Sequence, residues 1–185
     1  MQRSSRPCVP ESAPRVESSA CGGGELPRAV QFAGGRMKAQ LAVGRDYAVE
    51  FWFWNGLPND ARSVTGYLIS FGPDGVQTCP GDHLGISGTD QGTDTAGRLF
   101  FFNGNQRYES LSGGPVIAPR TWNHVRLVRR GEQVAVHLNG DAQPIFSGTV
   151  PVTRPGDSRD VFVGGRSDNF ANFEGRMAEV AIFAS

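Results

Sequence analysis

The segment 46–55, DYAVEFWFWN, constrains the fold more than any other part of the chain. Every second residue is large and apolar, and these residues are Tyr47, Val49, Phe51 and Phe53. The opposite phase contains a carboxylate and two indoles, which are Glu50, Trp52 and Trp54. Because side chains alternate between the two faces of a strand, this pattern predicts a strand with one face in a core and the other available to a ligand.

Turn residues interrupt the chain at short intervals. The 185 residues include 25 glycines and 12 prolines, which is typical of many short strands joined by turns. The pattern predicts strands at residues 29–32, 37–41, 47–54, 65–71, 84–87, 98–103, 122–129, 133–138, 145–150, 160–163 and 176–183. No segment has a useful helical period. We therefore predict an all-β fold, an antiparallel β-sandwich.

The N-terminal segment differs in composition from the rest of the chain. Residues 1–26 are rich in Ser, Pro, Gly and charge, which predicts a flexible or loosely attached arm. A single domain is expected over residues 27–185. Cys8 and Cys21 would either close a loop in the arm or remain free thiols, and Cys79 has no CxxC partner.

The chain has equal numbers of basic and acidic side chains. Lys and Arg together number 18, as do Asp and Glu. Such a chain has no basic field to hold nucleic acid or an anionic membrane. No apolar run has the length of a membrane span or a signal peptide, so we expect no membrane insertion, and any export signal would lie outside this sequence.

Several motifs follow one another in a fixed order. They are Phe32-x-Gly34, the strand from Tyr47 to Trp52, Trp122-x-His124-Val125-x-Leu127-Val128, Val134-x-Val136-x-Leu138-Asn139-Gly140, Val163-Gly164-Gly165 and the run from Phe173 to Phe183. Together they resemble the laminin-G-like, concanavalin A-like jelly-roll modules of large secreted multidomain proteins from bacteria, including planctomycete-like bacteria. The resemblance implies a concanavalin A-like jelly roll, an extracellular or periplasmic location and neighbouring domains in a larger protein.

The resemblance also implies where calcium would bind. Related modules place the ion between the opening Phe-x-Gly motif and an acidic residue of the last strand, so Gly34 and Glu179 are the positions carried over. Where relatives have an aspartate before this glutamate, the chain has Ala178, whose methyl group offers no ligand to calcium. We therefore expect no cofactor, with calcium as the open alternative.

The outward phase of the tryptophan-rich strand predicts a sugar site. Trp54 could stack on the apolar face of a pyranose while Glu50 accepts hydrogen bonds from its hydroxyl groups, unless loops cover this face. The loop residues Asp90, Asp168 and Asn169 would either bind sugar hydroxyls or calcium, or only cap their own turns. These five residues are the predicted ligand-binding set.

Two further aromatic positions bear on the surface. Trp122 is predicted to fill one end of the sandwich. In the Phe100–Phe102 run, alternation turns Phe101 away from its neighbours. If Phe101 lay exposed beside Trp54, sugar stacking or domain docking would be favoured. A buried Phe101 would only add to the hydrophobic core.

The sequence offers little catalytic apparatus. Glycosidases need two closely spaced carboxyl groups, and Glu50 is alone on its strand. His124 and His137 are predicted on adjacent strands, where they would meet Arg126 on one face. A polysaccharide lyase-like enzyme built on that patch is an unfavoured alternative because no tyrosine accompanies it.

These features predict a protein that is not an enzyme. We expect a lectin-like module that binds carbohydrate or polysaccharide as part of a larger exported protein. The alternative is a structural spacer or docking sandwich that contacts a neighbouring domain and binds no glycan.

Overall fold

The computed structural model describes residues 28–91, 94–104, 110–152 and 158–184. The strands in these residues are β1 (Val30–Ala33), β2 (Met37–Ala42), β3 (Tyr47–Asn55), β4 (Val64–Phe71), β5 (Asp82–Ser87), β6 (Leu99–Phe102), β7 (Ser110–Gly113), β8 (Trp122–Arg130), β9 (Gln133–Leu138), β10 (Phe146–Thr149), β11 (Ser158–Val163) and β12 (Glu174–Ala184). A short 3-10 helix, Thr89–Gln91, follows β5. The predicted arm, with Cys8 and Cys21, lies outside the described residues.

Two antiparallel sheets pack face to face around one core. The first sheet has the strand order β1-β12-β3-β8-β9-β10, and the second has the order β2-β11-β4-β5-β6-β7. Strands that pair are often distant in sequence. The last strand, β12, for example, pairs with both β1 and β3. The predicted all-β sandwich is confirmed. Among the described strands only β7 was missed, because Ser110–Gly113 has one large apolar residue, Leu111, between serines and a glycine and so gives no clear alternation.

The first sheet is built as the alternation predicts. Buried and partly exposed residues alternate along the whole of β3. Phe51 and Phe53 are fully buried in the core. The prediction for Trp122 is wrong. It lies directly opposite Trp54 on the outer face and is partly exposed, because the inward phase of β8 runs through Val125 and Leu127.

The second sheet is buried on both faces at its centre. Every residue of β5 is buried, and so are all residues of β4 except Val64. Phe101 is fully buried in the core between the sheets. Phe101 is therefore part of the hydrophobic core and does not lie exposed beside Trp54. Loops cover much of the outer face of this sheet, and this covering creates a groove.

A buried ion pair joins the two sheets at one end of the core. Arg129 of β8 and Asp82 of β5 have fully buried side chains, with Nη1 and Oδ1 3.0 Å apart. The hydroxyl of Tyr47 donates to the other oxygen of Asp82 at 2.7 Å, and Nη2 of Arg129 donates to the carbonyl of Val150 at 2.8 Å. The two buried charges are therefore paired, and each also forms a hydrogen bond to an uncharged group.

Candidate functional site

A groove runs over the outer face of the second sheet. Its volume is about 210 Å³. Four aromatic rings line it, and these belong to Tyr67, Phe100, Phe102 and Phe170. The polar side chains that line it are Ser63, Ser87, Asp90, Ser110 and Arg166. We refer to this feature as the aromatic groove.

The floor of the aromatic groove depends on a glycine. A Cβ atom at Gly85 would lie 2.8 Å from the ring of Phe100, so the missing side chain lets this ring lie across β5. Phe100 meets Tyr67 edge to face, with 5.4 Å between ring centroids. Both rings are buried, whereas Phe102 is partly exposed and Phe170 is 45% exposed. A ligand would therefore reach Phe102 and Phe170 first.

One wall is organised by Arg166, in the loop between β11 and β12. Its guanidinium lies 4.9 Å from the ring centroid of Tyr67 and 4.5 Å from that of Phe170. Nη1 donates to the hydroxyl of Tyr67 at 3.0 Å. Nε and Nη2 donate to the two oxygens of Asp168, each at 2.7 Å. The salt bridge thus fixes the arginine between two aromatic rings.

The same salt bridge keeps Asp168 ionised. Burial alone would raise the pKa of this carboxyl, but the hydrogen bonds from Arg166 outweigh burial and lower its pKa to about 2. The amide of Phe170 also donates to Asp168, at 3.2 Å. Asp168 is therefore a structural anion that holds the wall.

The opposite rim carries Asp90. The amide of Thr89 donates to the carbonyl of Arg62, and the amide of Asp90 donates to the carbonyl of Ser63, each at 3.1 Å. A Cβ at Gly88 would lie 2.0 Å from the carbonyl oxygen of Arg62, so glycine permits this close approach. The short helix thereby presents the exposed Asp90 to the groove.

His83 lies beneath the floor and takes no part in the groove lining. It is fully buried, its ring stacks on Phe102 at 5.9 Å between centroids, and its Nε2 donates to the carbonyl of Cys79 at 2.9 Å. Desolvation lowers the pKa of His83 to about 4. Burial also raises the pKa of the Cys79 thiol to about 11, so neither group is poised for chemistry.

The depressed pKa of His83 predicts loss of stability in mild acid. The folded protein keeps this imidazole neutral down to about pH 4, whereas the unfolded chain binds a proton below about pH 6.5. The free energy of unfolding should therefore fall by roughly 2 kcal/mol between pH 7 and about pH 4.5 because of His83 alone. Urea unfolding of wild type and His83→Gln at both pH values measures this difference.

The control for this experiment is His124→Gln, which changes a histidine on the sheet surface. It should retain the acid-dependent loss that His83→Gln lacks. An identical pH dependence in all three proteins would show that His83 does not titrate on unfolding.

The outer face of the first sheet carries the tryptophans. Trp54 lies opposite Trp122 in register, and Trp52 lies opposite His124 with 5.1 Å between ring centroids. The guanidinium of Arg176 lies 5.0 Å from the ring centroid of Trp54. All three indoles are partly exposed, and they form a surface distinct from the aromatic groove.

Polar side chains continue this surface. Glu50 contacts Arg126 with Oε1 and Nε 3.0 Å apart, and Arg126 lies opposite His137 on the neighbouring strand. His124 shares this face, as the sequence predicts. Glu50 and Trp54 therefore share one surface, while Asp90 in the short helix and Asp168 in the loop before β12 lie at the aromatic groove over the second sheet.

Comparison with known proteins identifies the family. The laminin G sequence profile described as the Concanavalin A-like lectin/glucanases superfamily matches residues 29–185. The chain belongs to this superfamily. The resemblance drawn from the motifs is therefore confirmed over almost the whole of the predicted domain.

Several solved structures share the fold. Domain 4 of AbnA, an extracellular arabinanase from Geobacillus stearothermophilus, has 20% identity and a TM-score of 0.60, covering 89% of this chain and 74% of that one. A SAP-like pentraxin from Limulus polyphemus has 16% identity and a TM-score of 0.58, with coverages of 83% and 74%. The CBM40 module of a Ruminococcus gnavus sialidase has 15% identity and a TM-score of 0.55, with 77% of each chain covered.

No curated protein sequence matches the chain. Among the helices in the described ranges, none has the length and apolar character needed to cross a membrane.

The positions carried over for calcium are far apart. The amide of Gly34 donates to the carbonyl of Phe173, just before β12, whereas Glu179 lies in a bulge of β12 with a φ of 53°. Six residues of extended chain span roughly 20 Å, so these two positions do not share a site. Within the described ranges, no group of three or more His, Cys, Asp or Glu side chains could hold a metal ion.

Asn169 acts within its own loop. Its side-chain oxygen accepts a hydrogen bond from Nδ2 of Asn172 at 2.8 Å, and Nδ2 of Asn172 also donates to the carbonyl of Gly34 at 2.8 Å. Asn169 has a positive φ of 68°. Such contacts are typical of side chains that stabilise a turn.

Sequence reasoning missed most of the aromatic groove. Phe100 and Phe102 carried a usable signal, because alternation places them on the face opposite Phe101. Tyr67, Arg166 and Phe170 carried none, since their approach depends on how the loop before β12 folds over the second sheet. Of the predicted ligand residues, only Asp90 lines the groove, and Asp168 supports it from behind.

Proposed function

We propose that this chain is a non-catalytic carbohydrate-binding module of a larger exported protein, and that it binds a glycan in the aromatic groove. The observation that carries this proposal is the combination of the reachable rings of Phe102 and Phe170 with hydroxyl, carboxylate and guanidinium groups. Aromatic rings pack on the C–H faces of sugars, while a few polar groups fix the orientation of the hydroxyls.

The comparisons support a carbohydrate ligand. The related arabinanase domain was solved in complex with arabinotriose. The related sialidase module was solved bound to sialyllactose. Carbohydrate binding is a property of those proteins, and its extension to this chain is our proposal.

The groove favours binding over catalysis. Hydrolysis of a glycoside needs a carboxyl group that can give up a proton near neutral pH, together with a second carboxylate at close range. Asp168 is held as an anion by Arg166, with a pKa of about 2, and cannot act as that acid. The described lining itself contains a single carboxylate, that of Asp90, and so offers no close pair of carboxyl groups. We therefore assign the groove a binding role.

The outer face of the first sheet is the second candidate site. It presents Trp54 and Trp122 side by side, with Glu50 and Arg126 further along the same strands. This surface could bind a glycan through Trp54 and Glu50, or it could dock against a neighbouring domain of the larger protein.

Phe170→Ala distinguishes these sites. Phe170 is 45% exposed, so its truncation should leave the fold intact while removing a ring that contacts the sugar. We expect the affinity for a retained glycan to fall at least tenfold, which corresponds to about 1.4 kcal/mol. The measurement is calorimetric titration with the best ligand from a broad panel of polysaccharides and oligosaccharides, with calcium present.

The matched control is Phe183→Ala, because Phe183 is 53% exposed and lies on the other sheet. It should bind the glycan as wild type does. Loss of binding in Trp54→Ala but not in Phe170→Ala would move the site to the first sheet. Folded protein that binds no glycan at all would instead favour the docking module.

A further inference from the structure

The only arginine in the described lining of the aromatic groove carries a compensated charge. Arg166 has five N–H donors, and three are engaged: two with the oxygens of Asp168 and one with the hydroxyl of Tyr67. The edge formed by Nε and Nη2 is the fork that would grip a ligand carboxylate, and Asp168 already occupies it. Two N–H groups of Arg166 therefore remain for a ligand, and the Arg166–Asp168 pair as a whole has no net charge.

A second arginine near the groove is also engaged. Arg62, next to the lining residue Ser63, contacts Glu174 with Nη1 and Oε1 3.1 Å apart. Its Nε donates to the carbonyls of Val64 and Thr65, each at 3.0 Å. Arg62 therefore braces the chain around β4 and offers no free cation to the groove.

The remaining charge of the described lining is negative. Arg166 and Asp168 cancel, which leaves the exposed carboxylate of Asp90 beside the hydroxyls of Ser63, Ser87 and Ser110. An anionic ligand would meet repulsion from Asp90 and find no unpaired cation in this lining.

We propose that the aromatic groove selects neutral saccharides and discriminates against sugars that carry carboxylate or sulfate groups. This inference rests on the proposed function. Hydroxyl groups both donate and accept, so they match the Asp90 carboxylate, the serine hydroxyls and the remaining donors of Arg166. The rings of Phe102 and Phe170 supply contacts that require no charge.

Matched glycans test this selectivity on the full 185-residue chain. The neutral probes are galactan, arabinan, xylan and lactose, and the anionic probes are polygalacturonate, heparin and sialyllactose. We expect the best neutral probe to bind at least tenfold more tightly than any anionic one. Its affinity should change less than twofold between low and high salt, because no ion pair with the ligand is screened.

A variant that removes the negative charge beside Arg166 supplies the second test. Asp168→Asn keeps an oxygen that accepts from the Phe170 amide but removes the charge that compensates Arg166. Binding of polygalacturonate or sialyllactose should rise at least fivefold. Asp141→Asn removes one carboxylate from an exposed turn outside the groove and should leave anionic binding unchanged. Equal gains in both variants would indicate a general charge effect and overturn the inference.

The outcomes separate the inference from the proposed function. Tight binding of an anionic probe that Phe170→Ala abolishes would overturn neutral selectivity and leave the glycan-binding groove in place. Salt-sensitive binding of the neutral probes would also overturn the selectivity argument. Failure of every probe to bind folded protein would overturn the proposed function, and the inference with it.

Discussion

Gly81→Ala is expected to lower the free energy of unfolding by at least about 3 kcal/mol, or to prevent folding. Gly81 has a φ of 139°, a conformation that residues with a side chain rarely adopt. A Cβ atom there would lie 1.7 Å from the carbonyl oxygen of Phe71. Phe71 is paired with Asp82 in the β4–β5 ladder, so its carbonyl cannot retreat without disturbing the sheet. Urea unfolding followed by tryptophan fluorescence measures the loss.

Gly131→Ala is the matched control because it isolates the cost of a positive φ. Gly131 has a φ of 56°, and no heavy atom lies within 4 Å of a Cβ placed there. We expect this variant to lose only about 1 kcal/mol. Similar losses in the two variants would mean that backbone strain, and not the collision with Phe71, determines the cost at Gly81.

The sequence was sufficient to predict the sandwich because its signals are local. In β3, alternation alone separates Phe51 and Phe53 from Glu50 and Trp54, and the structure places them on opposite faces. The same rule would have placed Trp122 correctly, since it is out of phase with Val125. Its place at the start of β8, and not the bulk of the indole, determines which face it occupies.

The aromatic groove could not be predicted in the same way. Its floor is a sheet face that alternation marks as outer, and it is buried because loops distant in sequence fold over it. Arg166 meets Tyr67 across 99 residues, and no local pattern predicts that approach. The position of Asp168 in a loop likewise gave no indication that Arg166 would engage both of its oxygens.

Arg129→Met should cost about 3–5 kcal/mol, because it removes the buried cation that lies 3.0 Å from the buried carboxylate of Asp82. The double variant Arg129→Met with Asp82→Asn also removes the buried negative charge and keeps an oxygen that accepts from the Tyr47 hydroxyl. We expect the second change to restore at least about 1 kcal/mol of the loss, although Asp82→Asn alone destabilises the protein. A double-mutant cycle in urea measures the coupling between the two positions.

Arg126→Met provides the comparison for this pair. Arg126 lies on the same strand and contacts Glu50 at the same distance of 3.0 Å, but its side chain is 53% exposed where that of Arg129 is fully buried. Water already solvates Glu50, so the expected loss is below about 1 kcal/mol. If both methionine variants lost the same free energy, burial would not govern the contribution of Arg129.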